Sequence, residues 1–345
     1  MAILIGVDEA GYGPNLGPLV IGFSTWRVPS VDIDLYDLLK DAVCTQPKPG
    51  RLAICDSKKM GGGICGLETA VFASLTAMQL GLPASWYDHG RFRMCLPDRL
   101  PTETTEQLGL DWCDDADGFE IDSTDPTAWN CEQIPLDLPV ECRLEQAALL
   151  GARLRETTRT NRAELLGTGV LLVHPWQFNQ MLQRHGNKSR LLGVATMHVA
   201  GQALGLSNST EQIRVICDRQ GGRQRYSSLL RTSFDDHNVN ILSETPECSS
   251  YRLVTKPDRE SVTPDDFQIE FQVGGESNLP VALASMHAKY VRELAMLQWN
   301  RFWRTRIDGI HPTAGYPVDA ARFRNDLRRH VTEREMPDQL FWRAK

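Results

Sequence analysis

The sequence predicts an α/β protein, and two observations support that prediction. Short apolar runs of the length typical of buried strands alternate along the 345 residues with longer segments whose apolar residues recur at helical spacing. The first two runs, residues 3–7 and 19–26, are separated by too few residues for a parallel return, so we expect an antiparallel pair. The chain therefore begins with two paired strands and continues with alternating helices and strands.

The predicted elements follow in chain order. Strands are expected at 3–7, 19–26, 51–55, 84–87 and 213–217, and helices at 69–80, 144–166, 189–204, 283–304 and 318–330. The stretch from about 98 to 140 is acidic, rich in Pro and Thr and weakly periodic, as expected for an insertion or an exposed acidic loop. Neither an internal repeat nor a low-complexity tract is found.

The composition is typical of a soluble globular protein, with 41% hydrophobic and 23% charged residues. No apolar run approaches the roughly 20 residues that span a membrane, and no secretory signal is recognised. The nine cysteines include no CxxC pair, which favours reduced thiols over a disulfide framework or a zinc site. We therefore expect a cytoplasmic protein that does not enter the membrane.

Charge is distributed unevenly along the chain. The net charge of −7 argues against general binding of polyanions. Residues 98–141 carry thirteen acidic residues and one basic one, whereas the chain from 286 onward carries twelve basic and seven acidic residues, interleaved with aromatics. The basic part is typical either of a surface that binds a phosphate backbone or of a solvated, Arg-rich helix pair. The acidic part is read as a solvated loop, with an electrostatic gate for nucleic acid as the alternative.

Adjacent carboxylates close the first strand. Asp8 and Glu9 follow a buried apolar run, where an unpaired carboxylate is costly. Successive strand side chains point to opposite faces, so at most one of the two enters a solvated site without a kink. Gly11, Gly13 and Gly17 then allow a sharp turn and close approach to a ligand. A strand, a polar turn and the start of a helix would explain the same window without any function.

Carboxylates recur at predicted strand ends. Asp8–Glu9, Asp56 and Asp218 each follow a short apolar run, and acids in this position converge on one edge of an α/β sheet. Of these, Asp8, Glu9 and Asp218, together with Glu276 downstream, would be hard oxygen ligands, suited to Mg²⁺ or Mn²⁺ rather than zinc. Two such ions would support in-line displacement at a phosphodiester.

Two further residues fit a phosphate contact. Ser285 and Lys289 stand one helical turn apart near the start of the helix that follows Glu276, so both could meet one phosphate group.

These motifs resemble the type 2 ribonuclease H (ribonuclease HII) family. DEAGYGPNLGP (8–18) is similar to the family's DEAGRGPLAGP, and DSKKM (56–60) to its DSKKL. Further similarities, in the family's order, are Asn187 with ATM (195–197), the strand ending at Asp218, GES (275–277), ASMHAK (284–289) and GYPV (315–318). They cover most of the chain outside residues 78–187.

The resemblance implies a single domain over 1–345 with a ribonuclease H-like mixed five-stranded sheet flanked by helices. It also implies a helical C-terminal portion at 283–345 and an insertion at 85–180. The activity implied is divalent-metal-dependent endonucleolytic hydrolysis of the RNA strand of RNA/DNA hybrids, by a monomer that uses two Mg²⁺ or Mn²⁺ ions. The metal-binding and catalytic residues implied are Asp8, Glu9, Asp218 and Glu276. The substrate-binding residues implied are Gly11, Tyr12 and Gly13, Ser57, Lys58 and Lys59, Ser285 and Lys289, and Tyr316, with the Gly11–Gly13 turn and Tyr316 near the ribose 2′-hydroxyl.

Three positions depart from the family pattern. Tyr12 replaces a basic residue in the turn, Glu276 replaces an Asp, and no His follows the GYPV segment. Two alternatives therefore stay open. One is a ribonuclease H-like nucleic-acid-binding protein without efficient cleavage, and the other is a nuclease that acts on another structured DNA, such as a branched junction.

Overall fold

The computed structural model describes residues 1–56, 60, 63–85, 136–207, 211–259, 261 and 263–344. Its strands are β1 (Ala2–Ala10), β2 (Leu19–Val28), β3 (Val43–Cys44), β4 (Leu52–Ala53), β5 (Glu164–Val173), β6 (Gln212–Asp218), β7 (His237–Glu244), β8 (Cys248–Thr255) and β9 (Asp266–Gln272). Its helices are α1 (Leu35–Leu38), α2 (Ile64–Ala77), α3 (Leu144–Thr160), α4 (Pro175–His185), α5 (Lys188–Leu204), α6 (Ser227–Ser233), α7 (Leu279–Arg304), α8 (Pro317–Arg328) and α9 (Asp338–Phe341).

Within these residues, seven strands form one mixed sheet in the order β5-β2-β1-β6-β9-β8-β7. β1 pairs antiparallel with β2, as predicted, and parallel with β6, while β6 is also parallel to β9. The outer strands β5, β8 and β7 are added by antiparallel pairing. The α/β class and the mixed sheet are confirmed, and the sheet has seven strands where five were expected.

The sequence pattern did not reveal β5, β7, β8 and β9; in β9 polar residues alternate with apolar ones, and two further reasons apply to the others. The predicted helix 144–166 ends earlier, at Thr160, because Arg162 takes a left-handed backbone conformation (φ 54°) and β5 begins at Glu164. The β7–β8 hairpin is half-exposed, and its polar residues interrupt the apolar runs by which strands were recognised.

One expectation about strand ends was wrong. The strand preceding Asp56 does not belong to the main sheet, because β4 pairs with β3 in a separate two-stranded sheet. Asp56 is therefore not brought to the sheet edge by the mechanism that places Asp8 and Asp218. In the predicted strand 84–87, Ser85 forms an isolated bridge with Asp137, and residues 86 and 87 lie outside the described part of the chain.

Two hydrophobic cores cover the two faces of the sheet. One contains Leu4 of β1 together with α2, α3 and α7, and the other contains Ile3 and Ile5 together with α4 and α5. This division follows the alternation of side chains along a strand. By the same alternation, Asp8 points toward the α7 face and Glu9 toward the opposite face.

Elements from the predicted insertion contribute to the main body. β5 pairs with β2, and α3 packs on α2, although both lie within 85–180. The acidic stretch 98–141 lies almost entirely outside the described residues, so the division of the chain at 85–180 stays a prediction. Among the described helices, none is both long and apolar enough to cross a membrane.

Candidate carboxylate site

The register of the two central strands places Asp8 beside Asp218. The parallel ladder between β1 and β6 ends with the pair Val7–Cys217, and the two aspartates are the next residue of each strand. Asp8 is 7% exposed, and its Oδ1 accepts a hydrogen bond from the backbone N of Glu9 at 2.8 Å. Asp218 is the last residue of β6, whereas Asp8 lies in β1 two residues before its end at Ala10, where β1 still pairs with β2.

Helix α7 approaches this strand end closely because two glycines lack side chains. A Cβ on Gly6 would lie 2.1 Å from the carbonyl carbon of Pro280, and a Cβ on Gly22 would lie 2.2 Å from the carbonyl oxygen of Ala284. Only glycine permits this contact. It brings the buried Ser285 over the site, where its hydroxyl donates to Oε1 of Glu276 at 2.6 Å.

A short 3₁₀ turn, Gly275–Ser277, presents Glu276 just before α7. Gly274 has a φ of +67°, and the backbone N of Gly275 donates to Oδ1 of Asp218 at 2.7 Å. A Cβ on Gly275 would lie 3.2 Å from that oxygen, which leaves little room for a larger residue. The turn thus fixes Asp218 and presents Glu276 next to it.

Charge accumulates around Asp8. The pKa of its carboxyl is raised well above the usual value, first by burial and then by the charge of Glu9. Asp218 and Glu276 raise it further, while a hydrogen bond with Ser285 opposes the shift. The other three predicted carboxylates therefore all act electrostatically on Asp8.

The donor set fits a hard divalent ion by its chemistry, since it consists of carboxylate oxygens. In the arrangement described, however, no group of three or more His, Cys, Asp or Glu side chains is disposed to hold a metal ion; this applies to the described residues. Glu276 is held by Ser285, and Asp218 by Gly275. The carboxylates would have to turn toward one another to share an ion.

The predicted substrate-binding residues lie in three places. Gly11 has a φ of +84° and begins the turn after β1, and Gly13 is exposed. Tyr12 is half-buried against the α5 face; burial and the charge of Glu9 raise the pKa of its hydroxyl, while the charge of Arg223 lowers it.

On the α7 side, Lys289 lies one turn beyond Ser285 and is partly buried. Tyr316 is 56% exposed and lies 5.6 Å from the guanidinium of Arg292. Ser57, Lys58 and Lys59 lie outside the described residues, so their predicted phosphate contacts stay predictions.

Two arginines near the site were not singled out from the sequence. Arg292 is 3% exposed and stands two turns beyond Ser285 on α7, a spacing that could have identified it. Arg343 is fully buried and hydrogen-bonds to the Gly11 carbonyl at 2.6 Å, although more than 300 residues separate them. No local sequence pattern predicts that contact.

Comparisons with known proteins show similarity at the level of solved structures. No protein-family model matches the chain, and no curated protein sequence matches it significantly. Ribonuclease HII of Archaeoglobus fulgidus, solved with PCNA, is 12% identical with a TM-score of 0.41, over 99% of this chain and 94% of that one. Ribonuclease H2 of Pyrococcus horikoshii is 14% identical with a TM-score of 0.40, over 98% of this chain and 92% of that one.

Bst-RNase HIII in complex with Mn²⁺ is 15% identical with a TM-score of 0.40, over 99% of this chain and 66% of that one. The chain is thus similar over nearly its whole length to ribonucleases HII and HIII, at low sequence identity and low structural overlap.

Proposed function

We propose that this protein is a divalent-metal-dependent endonuclease that hydrolyses the RNA strand of RNA/DNA hybrids. The observation that carries the proposal is the buried carboxylate of Asp8 beside Asp218 of the adjacent parallel strand, with Glu276 presented next to them by the turn before α7. Carboxylates gathered in this way repel one another, and bound divalent cations offset that repulsion. The order of the sequence motifs around these residues supports a ribonuclease H-type nuclease over other metal enzymes.

In this proposal, Asp8, Glu9, Asp218 and Glu276 would hold two Mg²⁺ or Mn²⁺ ions. When bound, such ions supply an activated water and stabilise the leaving oxygen of a phosphodiester. The chain itself supplies the scaffold: the strand ends fix the two aspartates, and Ser285 orients Glu276. Lys289, and Lys58 and Lys59 with Ser57, would bind substrate phosphates, while the Gly11–Gly13 turn and Tyr316 would contact the sugar.

The test is cleavage of an end-labelled RNA/DNA hybrid with Mg²⁺ or Mn²⁺. We expect the wild type to cut the RNA strand and Asp8→Asn to lose at least about a hundredfold in rate, since a metal ligand is removed. Asp41→Asn, at an exposed position distant in sequence from the site, is the matched control and should cut normally. Equal rates for wild type and Asp8→Asn would contradict the metal mechanism.

The same assay separates the two alternatives. An embedded single ribonucleotide, duplex DNA and a four-way junction are tested beside the hybrid. Cleavage of the junction alone would favour a nuclease for another structured DNA. Binding of the hybrid without cleavage under any metal condition would favour a nucleic-acid-binding protein, an alternative suggested by Tyr12 in place of a basic residue.

A further inference from the structure

A short C-terminal segment packs against the turn that follows β1. We name residues 338–344 the C-terminal strap and residues 11–18 the glycine turn. Trp342 of the strap forms an antiparallel bridge with Leu16 of the turn, and the backbone N of Arg343 donates to the Asn15 carbonyl at 2.9 Å. The two segments are thus joined by main-chain hydrogen bonding.

The side chain of Arg343 hydrogen-bonds to both ends of the glycine turn. Its Nη1 donates to the carbonyl of Gly11 at 2.6 Å and its Nη2 to the carbonyl of Pro18 at 3.1 Å. These two carbonyls lie at the two ends of the turn. A planar guanidinium with two forked donors therefore fixes the distance between the ends.

The burial of Arg343 is energetically unfavourable. The residue is 0% exposed, its Nε has no hydrogen-bond partner, and no carboxylate within the described ranges lies in ion-pair distance of it. Burial, and secondarily the charge of Arg292, lower its pKa to about 9. The cost of burying this charge is offset by the two carbonyl dipoles and by the ring of Phe178, whose centroid lies 5.1 Å from the guanidinium carbon. A buried cation held in this way favours one geometry of the surrounding backbone.

A second buried arginine packs on the other side of the same turn. A Cβ on Gly11 would lie 2.7 Å from Cδ of Arg292, so only glycine fits there. Arg292 in turn donates to the Ala314 carbonyl at 2.7 Å, and Gly315 accepts hydrogen bonds from Asn15 at 2.8 Å and Leu16 at 3.2 Å. The glycine turn is thereby enclosed between α7, the segment before α8 and the strap.

The strap is itself anchored at two points. On α4, the side-chain amide of Asn179 donates to the carbonyls of Gln339 and Trp342, both at 2.9 Å, and accepts from the backbone N of Ala344 at 2.8 Å. On α8, Arg324 and Arg328 form ion pairs with Asp338. These contacts hold Arg343 in its buried position.

We propose that Arg343 is a positioning residue of the nuclease site, which holds the glycine turn in the shape required for substrate binding next to Glu9. The inference rests on the proposed function for its substrate, an RNA/DNA hybrid. The geometric part, that the strap fixes the turn, does not depend on it. Arg343 itself has no exposed surface and does not touch nucleic acid.

The geometric part is tested by amide hydrogen exchange. In Arg343→Met, peptides that cover residues 11–17 should exchange at least about tenfold faster, because charge-assisted hydrogen bonds to the turn are lost. Peptides from β8 and β9, which do not contact the strap, should be unchanged. Arg329→Met, at an exposed arginine of the same region, is the control. Unchanged exchange in the turn, or equal acceleration everywhere, would overturn the inference.

The functional part is tested by steady-state kinetics on the hybrid, well below the melting temperature of each variant. We expect Arg343→Met to raise KM about tenfold with kcat changed less than about twofold, since the loss of hydrogen bonds affects substrate binding. Arg343→Lys retains the charge but not the fork, so its KM should lie in between. A merely structural role would lower the melting temperature and leave KM unchanged, and that result would contradict the proposal.

A second variant guards against misfolding of Arg343→Met. Asn179→Ser removes an anchor of the strap without leaving a cavity at Arg343, and it should reproduce both effects in weaker form. If the wild type neither binds nor cleaves the hybrid, the proposed function fails. The exchange experiment then decides by itself whether the strap positions the turn.

Discussion

Asp8 and Glu9 are neighbours in sequence but occupy different surroundings. Asp8 is buried beneath Ser285, whereas Glu9 lies on the opposite face, where its charge acts on Tyr12 and Cys217. The alternation of the strand produces this separation. It lets one carboxylate form the buried centre of the site while the other stays at its edge.

The buried His287 of α7 makes the folding stability of the protein depend on pH. His287 is buried, its Nδ1 lies 3.2 Å from the Thr168 hydroxyl, and burial lowers its pKa to about 3. Because the unfolded chain binds a proton near pH 6.5 and the folded chain does not, the stability contributed by neutral His287 is present above pH 6.5 and decreases as the pH falls toward 3.

We therefore expect the free energy of unfolding of the wild type to decrease by about 2 kcal/mol more between pH 7 and pH 5 than that of His287→Asn. Urea unfolding of both proteins at a series of pH values measures this difference in unfolding free energy. The comparison uses the change with pH in each protein, so a constant packing loss in the variant cancels. Parallel curves for the two proteins would disprove the assignment.

At the scale of elements, the contact between β1 and α7 determines the position of Ser285. Gly6→Ala would place a Cβ 2.1 Å from the Pro280 backbone, so the helix must shift. We expect a loss of about 3 kcal/mol in unfolding free energy, at the upper end of overpacking effects, together with loss of cleavage. Gly222→Ala, where nothing lies within 4 Å of the added Cβ, is the matched control and should be nearly neutral. Wild-type stability in Gly6→Ala would refute the close packing.

A second interaction between elements involves residues 140–142, which lead into α3. The buried carboxylate of Glu68 on α2 accepts backbone hydrogen bonds from Val140 at 2.7 Å and from Glu141 and Cys142 at 2.8 Å. The hydroxyl of Tyr290 on α7 donates to it at 2.7 Å. One side chain thus links α2, α7 and the segment that leads into α3.

Glu68→Gln should reduce the free energy of unfolding by about 3 kcal/mol, because an amide NH₂ would face backbone donors and leave them unpaired. Tyr290→Phe removes one of the four donors and should cost about 1 kcal/mol. Urea denaturation of both variants measures the difference. A loss in Glu68→Gln no larger than in Tyr290→Phe would show that the backbone donors contribute little.

For the whole molecule, the carboxylate cluster predicts a response to divalent ions. Mn²⁺ should raise the melting temperature of the wild type by several degrees, since bound cations relieve the repulsion around Asp8. In EDTA, Asp8→Asn should melt above the wild type, because it removes a buried carboxyl on which three other carboxylates act, and it should respond less to Mn²⁺. Differential scanning fluorimetry with and without Mn²⁺ checks both statements. An equal Mn²⁺ shift in wild type and variant would place the ion elsewhere.

Some strands and helices could be recognised from the sequence and others could not. Strands β1, β2 and β6 and the long helices were recognisable because their burial leaves continuous apolar runs or helical periodicity. β5 was not recognised, since the predicted helix 144–166 extended into it, and β7, β8 and β9 were not, since polar residues interrupt their apolar positions. For the site, Asp8, Asp218 and Glu276 could be grouped because each follows or precedes a recognisable element.

Local burial patterns and the convergence of parallel strands were enough to predict the α/β class, strands β1, β2 and β6, and the carboxylates Asp8 and Asp218. The position of Asp56 after a strand of a separate sheet and the support that Arg343 gives to the glycine turn became visible only in the folded chain. These outcomes depend on contacts between segments far apart in the chain. No periodicity or motif encodes such contacts.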